Sequence, residues 1–517
     1  MQSAVRSARR RTRRSGRFRA CPVIIAWGPS HMGNRYKGFN ALSVATALAL
    51  GAAAFAPVHA AGKYSLASLD DGSRSFGRFV VTYRSGTAPR RDAGALDRSL
   101  AKAAAANGLD WLQRLRRTAA GSDVVVSSRA LSRAEAAALM ARIAADPDVE
   151  YVENDMRMVA YLTPNDTRFS EQFGFGNGAG GIRATSAWDR TLGAGAVVAV
   201  IDTGITSHSD LNANVQGGYD FISALTGADA QQLGAFFISA DGNGRDANPA
   251  DPGDWNDNAN VCRTGNSSWH GTHVAGTVAA VTNNARGVAG TAPAAKVVPV
   301  RVLGRCGGLS SDIADAITWA SGGSVPGVPA NPNPADVINL SLGGANPGAC
   351  PQVYRTALQG AVARGSIVVV AAGNSNADVS TARDANGNAV GYTMTNCGTV
   401  ISVGSVTSTG ARSSFSNFGT AVDIAAPGSG ILSTVNNGTR GPTTEGYAAY
   451  NGTSMASPHV AGVAALVQSV ARTPLIQEQM RTLLKDTSRA FPVSPAGRPI
   501  GRGIVDANAA VNAAQAR

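Results

Sequence analysis

Ala196-Val-Val-Ala-Val-Ile201 is an unbroken apolar run that ends on Asp202-Thr-Gly204. A strand with one wet face alternates apolar and polar residues. A run without such alternation belongs in a sheet covered on both sides. The same texture returns in Lys296-Val-Val-Pro-Val-Arg-Val302, Val337-Ile-Asn-Leu340, Ser366-Ile-Val-Val-Val-Ala371 and Val400-Ile-Ser-Val403. Helix-like stretches, including residues 311–320 and 354–363, separate most of these runs. The alternation predicts an α/β fold with a mainly parallel sheet and helices on both faces. Reactive side chains in such sheets gather at the carboxyl ends of the strands. Asp202 closes its strand at that end.

Upstream the texture changes. Arg78-Phe-Val-Val-Thr-Tyr83, Asp123-Val-Val-Val126 and Val149-Glu-Tyr-Val-Glu153 read as strands. Residues 96–106 and 132–145 read as helices, with Ser132 and Glu135 spaced as a capping box. Residues 61–160 are therefore expected to form a small α+β domain of the ferredoxin-like kind. The Gly/Asn/Asp-rich stretch 241–260 reads as a loop. No internal repeat is visible, and no accessory C-terminal domain is expected.

The formal charge of +12 is unevenly spread. Residues 1–60 carry +10 and residues 61–160 carry +3, which leaves −1 for residues 161–517. A basic patch of the nucleic-acid-binding kind is thus not expected on the main domain. Met32-Gly-Asn-Arg-Tyr-Lys37 is a short basic n-region, followed by an apolar stretch from Ala41 to Phe55 and then Pro57-Val58-His59-Ala60. This is the pattern of an export signal cut near Ala60. The competing reading, a membrane anchor, sits at the short limit for spanning. Residues 1–31 read as a misplaced start or a disordered basic arm. Cys262, Cys306, Cys350 and Cys397 remain after export, an even number that allows three pairings. The expected bonds are Cys262–Cys306 and Cys350–Cys397.

Three segments carry chemistry: Val198-Ala-Val-Ile-Asp202-Thr-Gly204, His270-Gly-Thr-His-Val-Ala-Gly276 and Asn451-Gly-Thr-Ser454-Met-Ala-Ser-Pro458. A serine hydroxyl needs a base to take its proton, and imidazole titrates near the working pH. The imidazole in turn needs its other nitrogen held by an acceptor, which a buried carboxylate at a strand end provides. Ser454 is expected in the first turn of an apolar helix, where free N–H groups favour developing negative charge. Pro458 is expected in that same turn. His273 reads as a packed structural histidine, because no Glu completes a metal motif with His270. Gly176-Asn-Gly-Ala-Gly-Gly181 satisfies GxGxxG but precedes the first strand, and reads as a loop.

These segments, in the order Asp, His, Ser, resemble the signature blocks of the subtilisin family. Ile338-Asn-Leu-Ser341-Leu-Gly-Gly344, Val368-Val-Val-Ala-Ala-Gly-Asn374, Phe415-Ser-Asn-Phe-Gly419, Asp423-Ile-Ala-Ala-Pro-Gly428 and Gly503-Ile-Val-Asp-Ala507 resemble further blocks. The resemblance implies a subtilisin-like peptidase domain over residues 161–517. It implies Ser454 as nucleophile, His270 as base and then acid, and Asp202 as its orienter. Asn374 is implied as oxyanion donor, with Ser341, Leu342, Gly343, Gly307 and Gly308 clasping a peptide. It also implies structural calcium, with Asp210 and Asn284 as ligands and no catalytic cofactor. Asp246, Asp251, Asp254 and Asp257 either supply a second oxygen-ligand site or make an ordinary solvated loop. Residues 61–160 resemble an inhibitor-type propeptide, with self-cleavage expected between Asn154 and Pro164. The whole reading is a secreted, extracellular serine endopeptidase, probed by protein or peptide substrates and its own propeptide, without a membrane anchor and monomeric. Its rivals are a narrow processing protease and a catalytically idle binding module.

Overall fold

In the computed structural model, residues 63–69, 75–156, 163–343, 350–380 and 394–517 are described. All of these lie in one compact unit, His59–Arg517. The expected export signal lies outside the described residues, as does part of the expected self-cleavage segment.

The upstream part of this unit has a sheet and a core of its own. Its strands are β1 (Lys63–Tyr64), β2 (Phe76–Tyr83), β3 (Leu112–Arg117), β4 (Asp123–Leu131) and β5 (Val149–Asn154), in the order β1-β5-β2-β4-β3. Helices Ala93–Ala105 and Arg133–Ala144 lie in the connections, which gives the β-α-β-β-α-β arrangement. The capping box forms as its spacing predicts: Ser132 Oγ accepts from Glu135 N–H while the Glu135 carboxylate accepts from Ser132 N–H. Strand β3 is an addition to the expected elements. Its sequence, Leu112-Gln-Arg-Leu-Arg-Arg117, has no β-branched residue and only Leu112 is buried, so it lacks a strand's usual signature. Phe79, Val81, Leu96, Leu100, Leu139 and Val152 pack into one cluster drawn wholly from this stretch.

The large sheet consists of β6 (Val197–Asp202), β7 (Tyr219–Asp220), β8 (Lys296–Arg301), β9 (Val337–Leu340), β10 (Ile367–Ala371), β11 (Ile401–Val406) and β12 (Ile424–Pro427). All neighbours are parallel, in the order β12-β11-β10-β9-β6-β8-β7. Period-two alternation explains why the strands are apolar throughout. Val198 and Val200 face a core built on helices His270–Ala279 and Thr453–Val470. Ala199 and Ile201 face the opposite core, with helices Ser310–Ala320 and Gln352–Ala363. Both sides are dry. An antiparallel hairpin, β13 (Ile431–Asn436) with β14 (Glu445–Tyr450), packs on helix His270–Ala279.

After β6 the chain lays β7 and β8 on one side and then crosses over to lay β9 on the other, so β6 marks a topological switch. Ligands in open α/β sheets bind outside the strand ends at such a point. Two glycines let the backbone close up there. Gly204 has φ +87, a conformation side chains rarely adopt. A Cβ on Gly271 would overlap the Gly204 carbonyl oxygen, so the start of the helix touches the end of the strand. Gly271→Ala should force these elements apart and lower stability by about 1–3 kcal/mol, the usual range for overpacking. A thermal melt unchanged by the substitution would show that the contact is slack.

Candidate active site

Asp202 is fully buried at the end of β6. Its Oδ1 accepts from the Thr203 backbone N–H and from His270 Nδ1, both at 2.8 Å. His270 is the first residue of its helix and its side chain stays 24% exposed, so one edge of the ring faces outward. Trp269, just before it, holds φ +50 and donates its indole N–H to Gly438 O at 2.7 Å. Thr203 stitches the strand to the helix. Its hydroxyl donates to Asp251 Oδ2 at 2.8 Å and accepts from Gly271 N–H at 3.0 Å.

Burial disfavours the imidazolium of His270. The charge of Asp202, its hydrogen bond, and the charges of Asp254 and Asp251 outweigh that, and the net shift is upward from 6.5. His273 behaves oppositely. It is buried, stacks on Tyr450 at 4.4 Å, and burial presses its pKa down to about 3. Its Nε2 bonds the carbonyls of Ile431 and Ala448, the structural role its sequence suggested.

Ser454 is the second residue of helix Thr453–Val470. Its hydroxyl donates to Ser341 O at 3.1 Å, and no hydrogen bond to His270 is formed. Both side chains nevertheless line one cavity of about 880 Å³. A hydroxyl rotates to suit its partner, and such contacts commonly tighten only when substrate is bound. Pro458 lies one turn deeper than expected, inside the helix. Having no N–H, it leaves the Ser454 carbonyl without its i+4 donor, and Ser341 Oγ supplies one at 2.8 Å. Ser457 Oγ donates to Asn339 Oδ1 at 2.7 Å, and Asn339 Nδ2 donates to Ser341 Oγ at 2.9 Å. The Ser454 helix is thereby pinned to the end of β9.

Asn374 follows β10. Its Oδ1 accepts from Thr453 N–H at 2.8 Å and from the Thr453 hydroxyl at 2.9 Å. Because that hydroxyl accepts from Gly373 N–H at 2.9 Å, its own proton must go to Asn374. The amide orientation is therefore fixed, with Nδ2 turned away from Thr453. Asn374 Nδ2 and Ser454 N each lie 3.5 Å from the position of a Cβ built on Gly452. Two N–H donors thus approach one point beside the serine.

Gly307, Gly308, Ser341, Leu342 and Gly343 all line the same cavity. Neither Leu342 nor Gly343 makes a backbone hydrogen bond to another described residue. Such an edge can accept an added strand. Cys262 bonds Cys306 and Cys350 bonds Cys397, the pairings expected. Cys306 itself lines the cavity.

The metal expectations fare differently. Asp210 and Asn284 do meet, at 2.7 Å, but through the Asn284 amide N–H. Asp210 Oδ2 accepts from Val288 N–H and the Tyr447 hydroxyl, and Asn284 Oδ1 accepts from Arg286 N–H. Calcium needs oxygen lone pairs facing it. Here those lone pairs face N–H and O–H donors, so the pair as arranged does not fit the ion. The acidic run does not converge either. Asp246 accepts from Asn243 and Asn248, Asp251 from Thr203 and Gly253, Asp254 from Ser268, and exposed Asp257 pairs with Arg440 at 3.1 Å. Among the described residues no group of three or more His, Cys, Asp or Glu is placed to hold a metal ion. Sequence reasoning missed Thr203 and Thr453 as positioning groups, and Asp251 as the buried partner of Thr203. Only adjacency to Asp202 and Ser454 marked the two threonines. Burial lifts the Asp251 carboxyl to about 7 against the hydrogen bonds of Thr203 and Gly253.

The sequence profile of the Subtilase family matches residues 193–512, a span that holds Asp202, His270, Asn374 and Ser454. The chain belongs to the subtilase family. It is similar to an extracellular protease of Xanthomonas campestris pv. campestris, 56% identical over 449 residues, covering 84% of this chain and 73% of that protein. An extracellular basic protease of Dichelobacter nodosus is 43% identical over 452 residues, covering 84% of this chain and 70% of its own length. Thermitase of Thermoactinomyces vulgaris is 37% identical over 355 residues, covering 68% of this chain and 99% of its own length. Among solved structures, a protease from Pseudoalteromonas arctica aligns with a TM-score of 0.62 at 48% identity, over 68% of this chain and all of that one. As a subtilase the chain is a serine peptidase, a hydrolase of peptide bonds. Subtilases generally bind calcium and use no catalytic cofactor. No helix of the described residues is long and apolar enough to cross a membrane.

A base must be neutral to accept a proton, so with His270 as the expected base activity should be lost as pH falls through its pKa. The upward shift places the acid limb of kcat/KM above the ordinary 6.5. A pH–rate profile with its acid midpoint below that value would contradict the assigned electrostatics.

Proposed function

We propose that this chain is a secreted subtilase endopeptidase made as a zymogen, with Asp202, His270 and Ser454 as its triad. The bond from His270 Nδ1 to Asp202 Oδ1, at 2.8 Å, carries this reading. It fixes the tautomer that leaves Nε2 free as the base. Ser454, Asn374 and a strand-like edge share the cavity that this imidazole faces.

The peptide enters as an extra strand between Ser341–Leu342–Gly343 and Gly307–Gly308. Ser454 leaves the Ser341 carbonyl, passes its proton to His270 Nε2 and attacks the scissile carbonyl carbon. The oxyanion accepts from Asn374 Nδ2 and the Ser454 N–H, a first-turn amide with no carbonyl of its own helix to bond. His270 returns the proton to the leaving amine, and the C–N bond breaks to give an acyl-enzyme. Water, deprotonated by the same imidazole, releases the acid. No step is assigned to calcium. Every named group comes from one chain, which supports action as a monomer.

Residues 61–160 are the inhibitor-type propeptide in this reading, cut by the enzyme itself between Asn154 and Pro164. Their separate core supports a domain that survives as a unit. Export from Met32 is supported by the basic and apolar segments that end at Ala60, and by the extracellular names of the relatives.

Purified enzyme should degrade casein, and a serine-directed organophosphate should stop it. Ser454→Ala should accumulate as uncut precursor; normal trimming of that variant would assign the cut to another protease. Asn374→Ala should lower kcat about 10²–10³-fold, a figure carried over from a subtilisin rather than worked out from this geometry. A loss below threefold would place the oxyanion elsewhere.

A further inference from the structure

The cavity that holds His270 and Ser454 carries little charge. Apart from His270, Asp254 is the one acidic or basic side chain among the described residues that line it. Ser268 grips this carboxylate at both oxygens. Its backbone N–H donates to Oδ1 at 2.6 Å and its hydroxyl to Oδ2 at 2.7 Å. The group is thus held in one orientation, on the same wall as Thr203 and His270. Its charge reaches the reaction centre, since it contributes to raising the His270 imidazole.

Asp254 forms no salt bridge with a described residue, although two guanidiniums belong to the same region. Arg305 and Arg440 instead lie over the Trp255 ring, 3.9 and 4.6 Å from its centroid, and Arg440 pairs with Asp257 at 3.1 Å. The other carboxylates near the imidazole, Asp202 and Asp251, are buried and already hydrogen-bonded. They add negative potential without competing for a substrate group.

We infer that Asp254 selects a lysine or arginine side chain of the peptide at the substrate position that packs against His270. This inference rests on the peptidase reading of the site. A bound peptide displaces water from the cleft, and charge-assisted hydrogen bonds strengthen as the surroundings dry. A carboxylate already fixed by Ser268 loses little freedom on binding. Among the described residues the remainder of the wall gives no competing ionic anchor, so discrimination falls on this one group.

The test uses the mature enzyme on internally quenched peptides that differ at single positions near the scissile bond. Lysine, arginine, norleucine, glutamine and glutamate are compared at each position. At one position lysine or arginine should exceed norleucine by about tenfold in kcat/KM, a modest ionic discrimination. Added salt should shrink that ratio. Asp254→Asn should bring it to about one, while Asp254→Glu keeps part of it. The ratio is taken within one sample, so incomplete folding cancels. An effect that acts only through the imidazole also moves all peptides together and cancels. A wild-type enzyme without cationic preference at any position overturns the inference even if Asp254→Asn fails to fold. So does an unchanged ratio in Asp254→Asn. Failure of the wild type to cut any peptide would instead sink the peptidase reading itself.

Discussion

The contact between two backbones, Gly271 against the carbonyl of Gly204, is the constraint on which the site depends. Asp202 is two residues before one glycine and His270 one residue before the other. A carboxylate and an imidazole can meet at 2.8 Å only if the strand end and the helix start approach this closely. Thr203 then fills the remaining gap with a hydroxyl that serves both sides. The buried sheet underneath cannot slide, because Val198 and Val200 are packed on one face and Ala199 and Ile201 on the other. Precision at the rim is thus inherited from rigidity below it.

The serine side is built by a different device. Pro458 removes one helical donor, and the carbonyl it frees belongs to Ser454. Ser341 uses that carbonyl to tie the helix to the end of β9, and its own carbonyl receives the Ser454 hydroxyl. The proline therefore shapes the position of Ser454 without touching its hydroxyl. Thr453 does the same for Asn374 by consuming the amide oxygen. Each reactive group is oriented by a neighbour that does no chemistry.

Much of this was legible in the sequence. The apolar runs gave β6, β8, β9 and β10 nearly to the residue and the first half of β11, because strands buried on both faces leave an unbroken apolar composition. Other strands escaped notice: Tyr219–Asp220 is too brief to show a period, and β3 is too polar. The Asp, His and Ser segments were recognisable as blocks, since their glycines and small residues are dictated by close approach. The depth of Pro458 in its helix was not, for a helix start is uncertain by a turn without its cap. The acidic run left a ligand site and a solvated loop both open, because spacing alone does not say which way side chains face. One of its carboxylates turned inward to Thr203, one toward the cleft, and one to an exposed arginine.

Each disulfide closes a ring around one working part. The bond between Cys262 and Cys306 encloses His270 and strand β8; that between Cys350 and Cys397 encloses Asn374 and strand β10. A polypeptide severed once inside either ring still has both new ends tethered through sulfur. A peptidase's own copies are themselves polypeptides that it can meet as targets. A single nick by a sister copy within those spans would leave imidazole and amide chemically attached, so damage there need not mean dismemberment.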